Sequence, residues 1–307
     1  MPPPLPQEVI DSCIDNLAFN VKDSDHTCQA RSALLLCSLV SRAFGYRARH
    51  HIFSEIRIKP SPEDIRSQQL RDIIKKDPKI CHFIRTLDIH IADTSHKKAA
   101  TSKTGLPDVL NMLSRSSGGK GIETFKLHGT SNRNPWSRID KEFLSALVGL
   151  IHDIGSDEKS ASNSVSRGQF RTLKSIHISG FKEVPDALIT NCSSTIKNMK
   201  ILYLSFVDTP DAKTQSSTLA PVKKKQAPAK PSAHFPLASP PKFVLEKFHF
   251  TGIPNGNVDS LATALIRGPF PFSQLEELDI YPQGAEDLAF VHRIIQAAAK
   301  SLQIFNL

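Results

Sequence analysis

Twelve histidines and five cysteines are the side chains of this chain best suited to hold a metal ion or attack an electrophile, and their spacing serves neither purpose. Metal sites legible in sequence rest on close ligand pairs such as Cys-x-x-Cys. Cys13, Cys28, Cys37, Cys81 and Cys192 include no such pair. His50 and His51 sit beside Arg47 and Arg49 on a basic helical stretch. Adjacent residues point to different sides of a helix, so a solvated face suits them better than a metal. Cys81-His82 likewise has no partner ligand at metal spacing. Gly118-Gly119-Lys120-Gly121 lacks the spacing of a phosphate-binding loop and lies in a low-complexity run. No Gly-x-Ser-x-Gly nucleophile elbow occurs. The sequence therefore predicts no catalytic residue, no cofactor-binding residue, no metal site and no enzyme.

The elements that must carry any function are more informative. A chain of 307 residues is long enough for one large or two smaller domains with a substantial core. An odd number of cysteines, two of them (Cys13 and Cys37) on apolar faces, fits a reduced intracellular compartment, cytoplasmic or nuclear, better than a disulfide scaffold. Met1 to Pro6 has neither the basic nor the apolar region of a secretory signal. No uninterrupted apolar run exceeds six residues, well short of the roughly twenty that cross a bilayer. The formal charge is +9, and its placement argues against a nucleic-acid groove. Residues 209–242 contribute +5 and residues 92–121 contribute +3, leaving +1 for the other 243. Seven prolines and the Lys223-Lys224-Lys225 run mark 209–242 as an extended insertion. Residues 92–105 and 114–121 also read as linker, with one short helix between them over Pro107 to Leu113.

Residues 5 to 56 hold more apolar surface than so short a segment can bury. Leu5-Pro6 opens a helix on which Val9, Ile10, Cys13, Ile14 and Leu17 form one stripe. From Leu34 to Val40 the only polar residue is Ser38, so that helix needs cover on more than one side. Either the run is the core of an ordinary three-helix subdomain, or it is an interface. The order of residues favours the interface. Leu5-Pro6-Gln7-Glu8, then Cys37-Ser38-Leu39-Val40-Ser41-Arg42-Ala43-Phe44, then Phe53 with Ile56, resembles an F-box. That family carries Leu-Pro-x-Glu, Cys-x-x-Val-Ser-Arg-x-Trp or Phe, and a closing aromatic followed by an aliphatic three residues on. Phe44 stands where Trp is commoner, and the gap from Phe19 to Arg31 is long for the family.

After residue 58 an L-x-x-L-x-L spacing recurs. Its triplets are Ile84/Leu87/Ile89, Ile122/Phe125/Leu127, Leu173/Ile176/Ile178, Met199/Leu202/Leu204, Leu245/Phe248/Phe250, Leu275/Leu278/Ile280 and Leu302/Phe305/Leu307. Roughly seven such triplets are expected by chance, so their arrangement matters more than their number. Helical patterns separate them: Phe143 to Ile154, Val184-Leu188-Ile189, Leu261-Leu265-Ile266 and Leu288-Val291-Ile294-Ile295. A strand followed by a helix, repeated, stacks into a parallel sheet. This pattern resembles a divergent leucine-rich repeat array. It lacks the family's ninth-position Asn or Cys: Ala92, Thr130, Phe181, Val207, Ile253 and Gln283 stand there. A non-repetitive α/β sheet is the alternative. The expected organisation is an all-α F-box-like domain over 1–58, then an α/β repeat region over 59–307 with insertions at 92–121 and 209–242.

The two resemblances together imply a substrate-recognition adaptor. The F-box would dock a Skp-family adaptor of a cullin–RING ubiquitin ligase, and the repeats would hold an unidentified protein substrate. Neither a membrane nor a cofactor enters this scheme. The docking residues so implied are Leu5, Pro6, Val9, Ile10, Leu35, Leu39, Val40 and Phe44. Two other classes stay open: a repeat scaffold not engaged with the ligase, and a basic nucleic-acid-associated protein acting through its Lys-rich insertions. The strand ending at Leu307 is followed by no covering helix, from which a longer natural chain is expected.

Overall fold

The structure is a computed structural model. It describes residues 6–20, 27–59, 65–91, 105–115, 121–129, 134–151, 173–192, 194–207, 244–252, 261, 265 and 272–307. The expected insertion 209–242 and the linker residues 92–104 and 116–120 lie outside the described residues.

The described chain is α/β. Three helices come first: α1 (Gln7–Asn20), α2 (Thr27–Val40) and α3 (Arg42–Ser54). The carbonyl of Pro6 accepts the N–H groups of Val9 and Ile10, so Pro6 stands just ahead of the first turn. Ser41 caps α3 by accepting the Phe44 N–H. Ile10, Ile14, Ala18, Leu34 and Ala48 form a small core of their own, with Leu17, Cys37, Ala43, Phe44 and Ile52 packed on it. Gly45 lets α2 and α3 approach closely, since a Cβ there would lie 3.1 Å from the Ser38 carbonyl oxygen.

Across this head, Asp15 of α1 receives two hydrogen bonds from Arg47 of α3, at 2.7 and 2.6 Å, and its Oδ1 lies 2.7 Å from His51 Nε2. The Arg47 guanidinium, with His51, holds the Asp15 carboxyl at about 2, below its ordinary 3.8. A lowered carboxylate stabilises the fold above its unfolded pKa, and that contribution is lost as pH falls through the folded value. Both side chains are partly solvated, so the pair is worth about 1 kcal/mol at most. Asp15→Asn is therefore expected to lower the melting temperature slightly at pH 7. The difference from the parent should shrink between pH 4 and pH 2, and a pH-independent difference would show that the ion pair contributes nothing.

The rest is one parallel sheet with strands β1 (Glu55–Ile58), β2 (Thr86–Ile91), β3 (Thr124–Gly129), β4 (Asn134–Pro135), β5 (Ser175–Pro185), β6 (Asn198–Val207), β7 (Lys247–Thr251), β8 (Glu277–Tyr281) and β9 (Ile304–Asn306). Its order is β1-β2-β3-β5-β6-β7-β8-β9, with the two-residue β4 pairing beside β5. Apart from that short strand, spatial order follows chain order, with no switch point of the doubly wound kind. Helices α4 (Ile65–Lys76), α5 (Leu106–Arg115), α6 (Lys141–Ile151), α7 (Asp186–Thr190) and α8 (Ala285–Ala298) join the strands. A second core runs continuously from Ile58 to Ala298 between the strands and these helices.

The repetition is visible in the backbone as well as in the side chains. The carbonyls of Arg85, Glu123, Lys174, Lys197, Glu246 and Glu276 each accept the N–H groups of two successive residues entering the next strand. Each of these residues follows the first apolar residue of a triplet. Lys197 belongs to this series, so the fourth triplet is Ile196/Met199/Ile201, not the expected Met199/Leu202/Leu204. The register agrees, aligning Ile176 with Met199 and Phe248, and Ile178 with Ile201 and Phe250. Leu202 belongs to the opposite face. Phe53, Ile56 and Ile58 form a further triplet ahead of the first expected one: Ser54 O accepts Arg85 N–H, and β1 pairs with β2. The last four residues of the expected helical domain, 55–58, are thus a strand of the sheet.

Two more expectations change. The short helix expected over Pro107 to Leu113 is present as α5, but it belongs to the fold and not to an insertion, burying Leu106, Val109, Leu110 and Leu113 in the main core. Val184 was expected on a helix and instead ends β5, after a register shift between Phe181 and Val184. The shift contains Glu183, which takes a left-handed φ of +58° and supplies the extra residue. Just before it, Gly180 has a φ of +77° and approaches the neighbouring strand so closely that a Cβ would lie 2.6 Å from the Gly129 carbonyl oxygen. Gly180→Ala is expected to destabilise the fold by about 2 kcal/mol or more. Gly149→Ala, in α6 with open space at its Cβ, should stabilise it by about 0.5–1 kcal/mol. Thermal unfolding of the two variants checks the opposite signs.

Candidate functional site

The head offers one surface that its own core does not explain. Leu34 and Ser38 line the side of α2 turned to α1 and α3. Residues one position further round, at i, i+1, i+4 and i+5, share the opposite side. There Leu35 is 48% exposed, Leu36 66%, Leu39 82% and Val40 70%. Four large aliphatic side chains thus form a solvent-facing stripe over two turns. A single exposed leucine is ordinary, but a contiguous apolar stripe marks an interaction surface.

The eight expected docking residues do not all belong to it. Leu35, Leu39 and Val40 do, and Leu36 joins them although it was not among the eight. Val9, on α1, is also largely exposed. Ile10 is buried and Phe44 half-buried, both in the helical core, so these two build the head and have little surface left to offer a partner. Pro6 is exposed at the start of α1, and Leu5 lies outside the described residues. Sequence pattern cannot separate Ile10 and Phe44 from Leu35, Leu39 and Val40, because core and contact residues of an amphipathic helix are equally apolar.

The sheet offers a second surface. Residues between the apolar positions of each strand point away from the helices and form rows across the sheet. One row runs Arg57, Asp88, Lys126, His177, Lys200, His249, Asp279. The next pairs His90 with His128 and His128 with Ser179. The rows are laced by polar contacts. Arg57 Nε donates to Asp88 Oδ2 at 3.0 Å, His128 Nδ1 lies 2.7 Å from Ser179 Oγ, and His249 Nδ1 lies 3.2 Å from Asp279 Oδ2. The His90 and His128 rings stack with centroids 4.7 Å apart, and His177 meets His128 edge-on at 4.6 Å. Burial lowers the His128 pKa and takes His177 down to about 3, so both imidazoles are neutral near pH 7. Asp279 is held low by its hydrogen bond from Asn306.

Sequence spacing pointed to no cluster of histidines and carboxylates, and this one was missed for that reason. A usable signal was present. Aligning the triplets puts His90 of Leu87-Asp88-Ile89-His90 beside His128 of Phe125-Lys126-Leu127-His128.

No family model, curated protein or solved structure matches this chain. Its function has to be argued from the two surfaces themselves. Among the described residues, no helix is long and apolar enough to cross a membrane.

Proposed function

We propose that this chain is a substrate-recognition adaptor of a cullin–RING ubiquitin ligase. In this reading α1–α3 dock a Skp-family adaptor and the open face of the sheet holds a protein substrate. The observation that carries it is the exposed aliphatic stripe of α2, on a head that has already satisfied its own core. The stripe falls within the residues that resemble an F-box, and burying each such side chain in a partner is worth about 1.5–3 kcal/mol. The sheet supports the other half. Its row from Arg57 to Asp279 mixes basic, acidic and imidazole side chains that offer hydrogen bonds and ion pairs to a polypeptide laid across them.

The mechanism needs no reacting group on this chain. Holding the substrate and the ubiquitin-charged enzyme in one assembly makes their encounter intramolecular, with an effective concentration set by the geometry. The test is titration of the purified full chain with a Skp-family adaptor in a calorimeter, followed by addition of cullin. A 1:1 complex that recruits cullin is the expected result. Absence of binding at micromolar concentrations of both proteins would sink the proposal and leave a repeat scaffold.

A further inference from the structure

The cluster on the open face has a geometry that hydrogen bonding does not account for. Asp88 and His90 are two residues apart on β2, hence on one face, and His128 is the register partner of His90 on β3. Asp88 Oδ1 lies 3.0 Å from His90 Nε2 and 3.5 Å from His128 Nε2. One ligand atom from each of the three lies within 4.8 Å of the other two. Nitrogen and oxygen ligands at about 2.0–2.2 Å from a zinc ion, set at tetrahedral angles, stand about 3.3 Å from one another. The observed separations bracket that value.

Asp88 is buried, and its two oxygens fare differently. Oδ2 takes the Arg57 hydrogen bond, whereas Oδ1 has no hydrogen-bond partner, and neither does the buried His90 Nε2 that faces it. A buried carboxylate oxygen without a donor costs free energy, as does a buried ring nitrogen without a partner. His128 is oriented from behind. Its Nδ1 is 2.7 Å from Ser179 Oγ, the arrangement in which a ligating histidine donates its other ring N–H to a fixed oxygen. With the proton there, the His128 Nε2 lone pair faces Asp88 Oδ1. Ring stacking sets the His90 imidazole alongside that of His128, with 28° between their planes. Two nitrogens and one carboxylate oxygen converge, and a cation between them would partner the two unpaired atoms, Asp88 Oδ1 and His90 Nε2.

We infer that Asp88, His90 and His128 form a binding site for a divalent transition-metal ion, with zinc the best fit to two imidazoles and one carboxylate. Arg57 and Ser179 are positioning residues, holding Asp88 and His128. Calcium and magnesium prefer all-oxygen sets, so they do not suit it. Three protein ligands leave one tetrahedral position for water or a further side chain. This inference rests on the sheet alone and stands or falls apart from the docking of α2.

The test uses the full chain, stripped with a chelator and titrated with zinc alone in a calorimeter, with cobalt as a visible probe of coordination. The expected result is one zinc per chain. Affinity should fall at least tenfold in each of Asp88→Asn, His90→Ala and His128→Ala, and about tenfold in Ser179→Ala. His249→Ala, on the same face but outside the cluster, should bind as the parent does. Should the ligand variants misfold, X-ray absorption of the zinc-loaded parent decides the matter: two imidazoles and an oxygen donor, with no sulfur, are expected. No stoichiometric zinc uptake, sulfur ligation, or affinity unchanged by the three ligand substitutions would overturn the site and leave an aspartate–histidine ion pair.

Discussion

A full-length chain carrying Leu39→Asp and Val40→Asp is expected to lose binding to a Skp-family adaptor by at least a hundredfold while keeping its fold. Both side chains are among the most exposed aliphatics of the head, so the substitutions remove nothing from its core. Surface changes of this kind usually shift stability by no more than about 0.5 kcal/mol. In a complex the same positions would bring two carboxylates into an apolar contact, at a cost of several kcal/mol. A loss of about 2.7 kcal/mol already corresponds to the hundredfold change. Ile14→Asp serves as the contrast, because Ile14 is fully buried and its substitution should melt α1–α3 outright. Calorimetric titration with the adaptor, alongside circular dichroism, separates the two effects. If the double variant binds as tightly as the parent, the α2 stripe is not the docking surface.

Phe250→Ala should produce the largest loss of stability in the sheet. Its ring is fully buried, 5.5 Å from the Phe290 ring of α8 and 6.3 Å from Phe248, so α8 and β7 share one aromatic layer. Truncating a buried phenylalanine costs about 3–5 kcal/mol through lost transfer energy and the cavity left behind. For a chain of this size the melting temperature should fall by on the order of 10 °C. Phe305→Ala removes an equal ring from β9, where Phe305 is 42% exposed, and should cost less than about 1 kcal/mol. Thermal unfolding of the pair tests where the core ends. Equal losses would mean that β9 is covered as closely as β7. Below the transition, Phe250→Ala should still bind the adaptor, because its ring belongs to the sheet core and not to the head.

Much of this architecture is a direct consequence of local pattern. The triplets that begin at Ile84, Ile122, Leu173, Leu245 and Leu275 run into β2, β3, β5, β7 and β8, because alternate apolar residues suit a strand with one buried face. On a helix, a run as apolar as Leu34 to Val40 carries more apolar surface than one neighbour covers, and α2 does leave Leu35, Leu36, Leu39 and Val40 in solvent. Local pattern could not choose between Ile196/Met199/Ile201 and Met199/Leu202/Leu204, since both satisfy the same spacing. The doubled hydrogen bonds to the Lys174 and Lys197 carbonyls made that choice, and a carbonyl's acceptor role depends on the neighbouring strand. Nor could local pattern separate Phe53-Ile56-Ile58 from the helix before it, because β1 exists only through its pairing with β2. The cluster of Asp88, His90 and His128 follows the same rule. Each residue is an unremarkable polar position within its own strand, and 38 residues separate His90 from His128 along the chain. Only the parallel register, fixed by backbone hydrogen bonds between β2 and β3, sets those imidazoles side by side over one carboxylate.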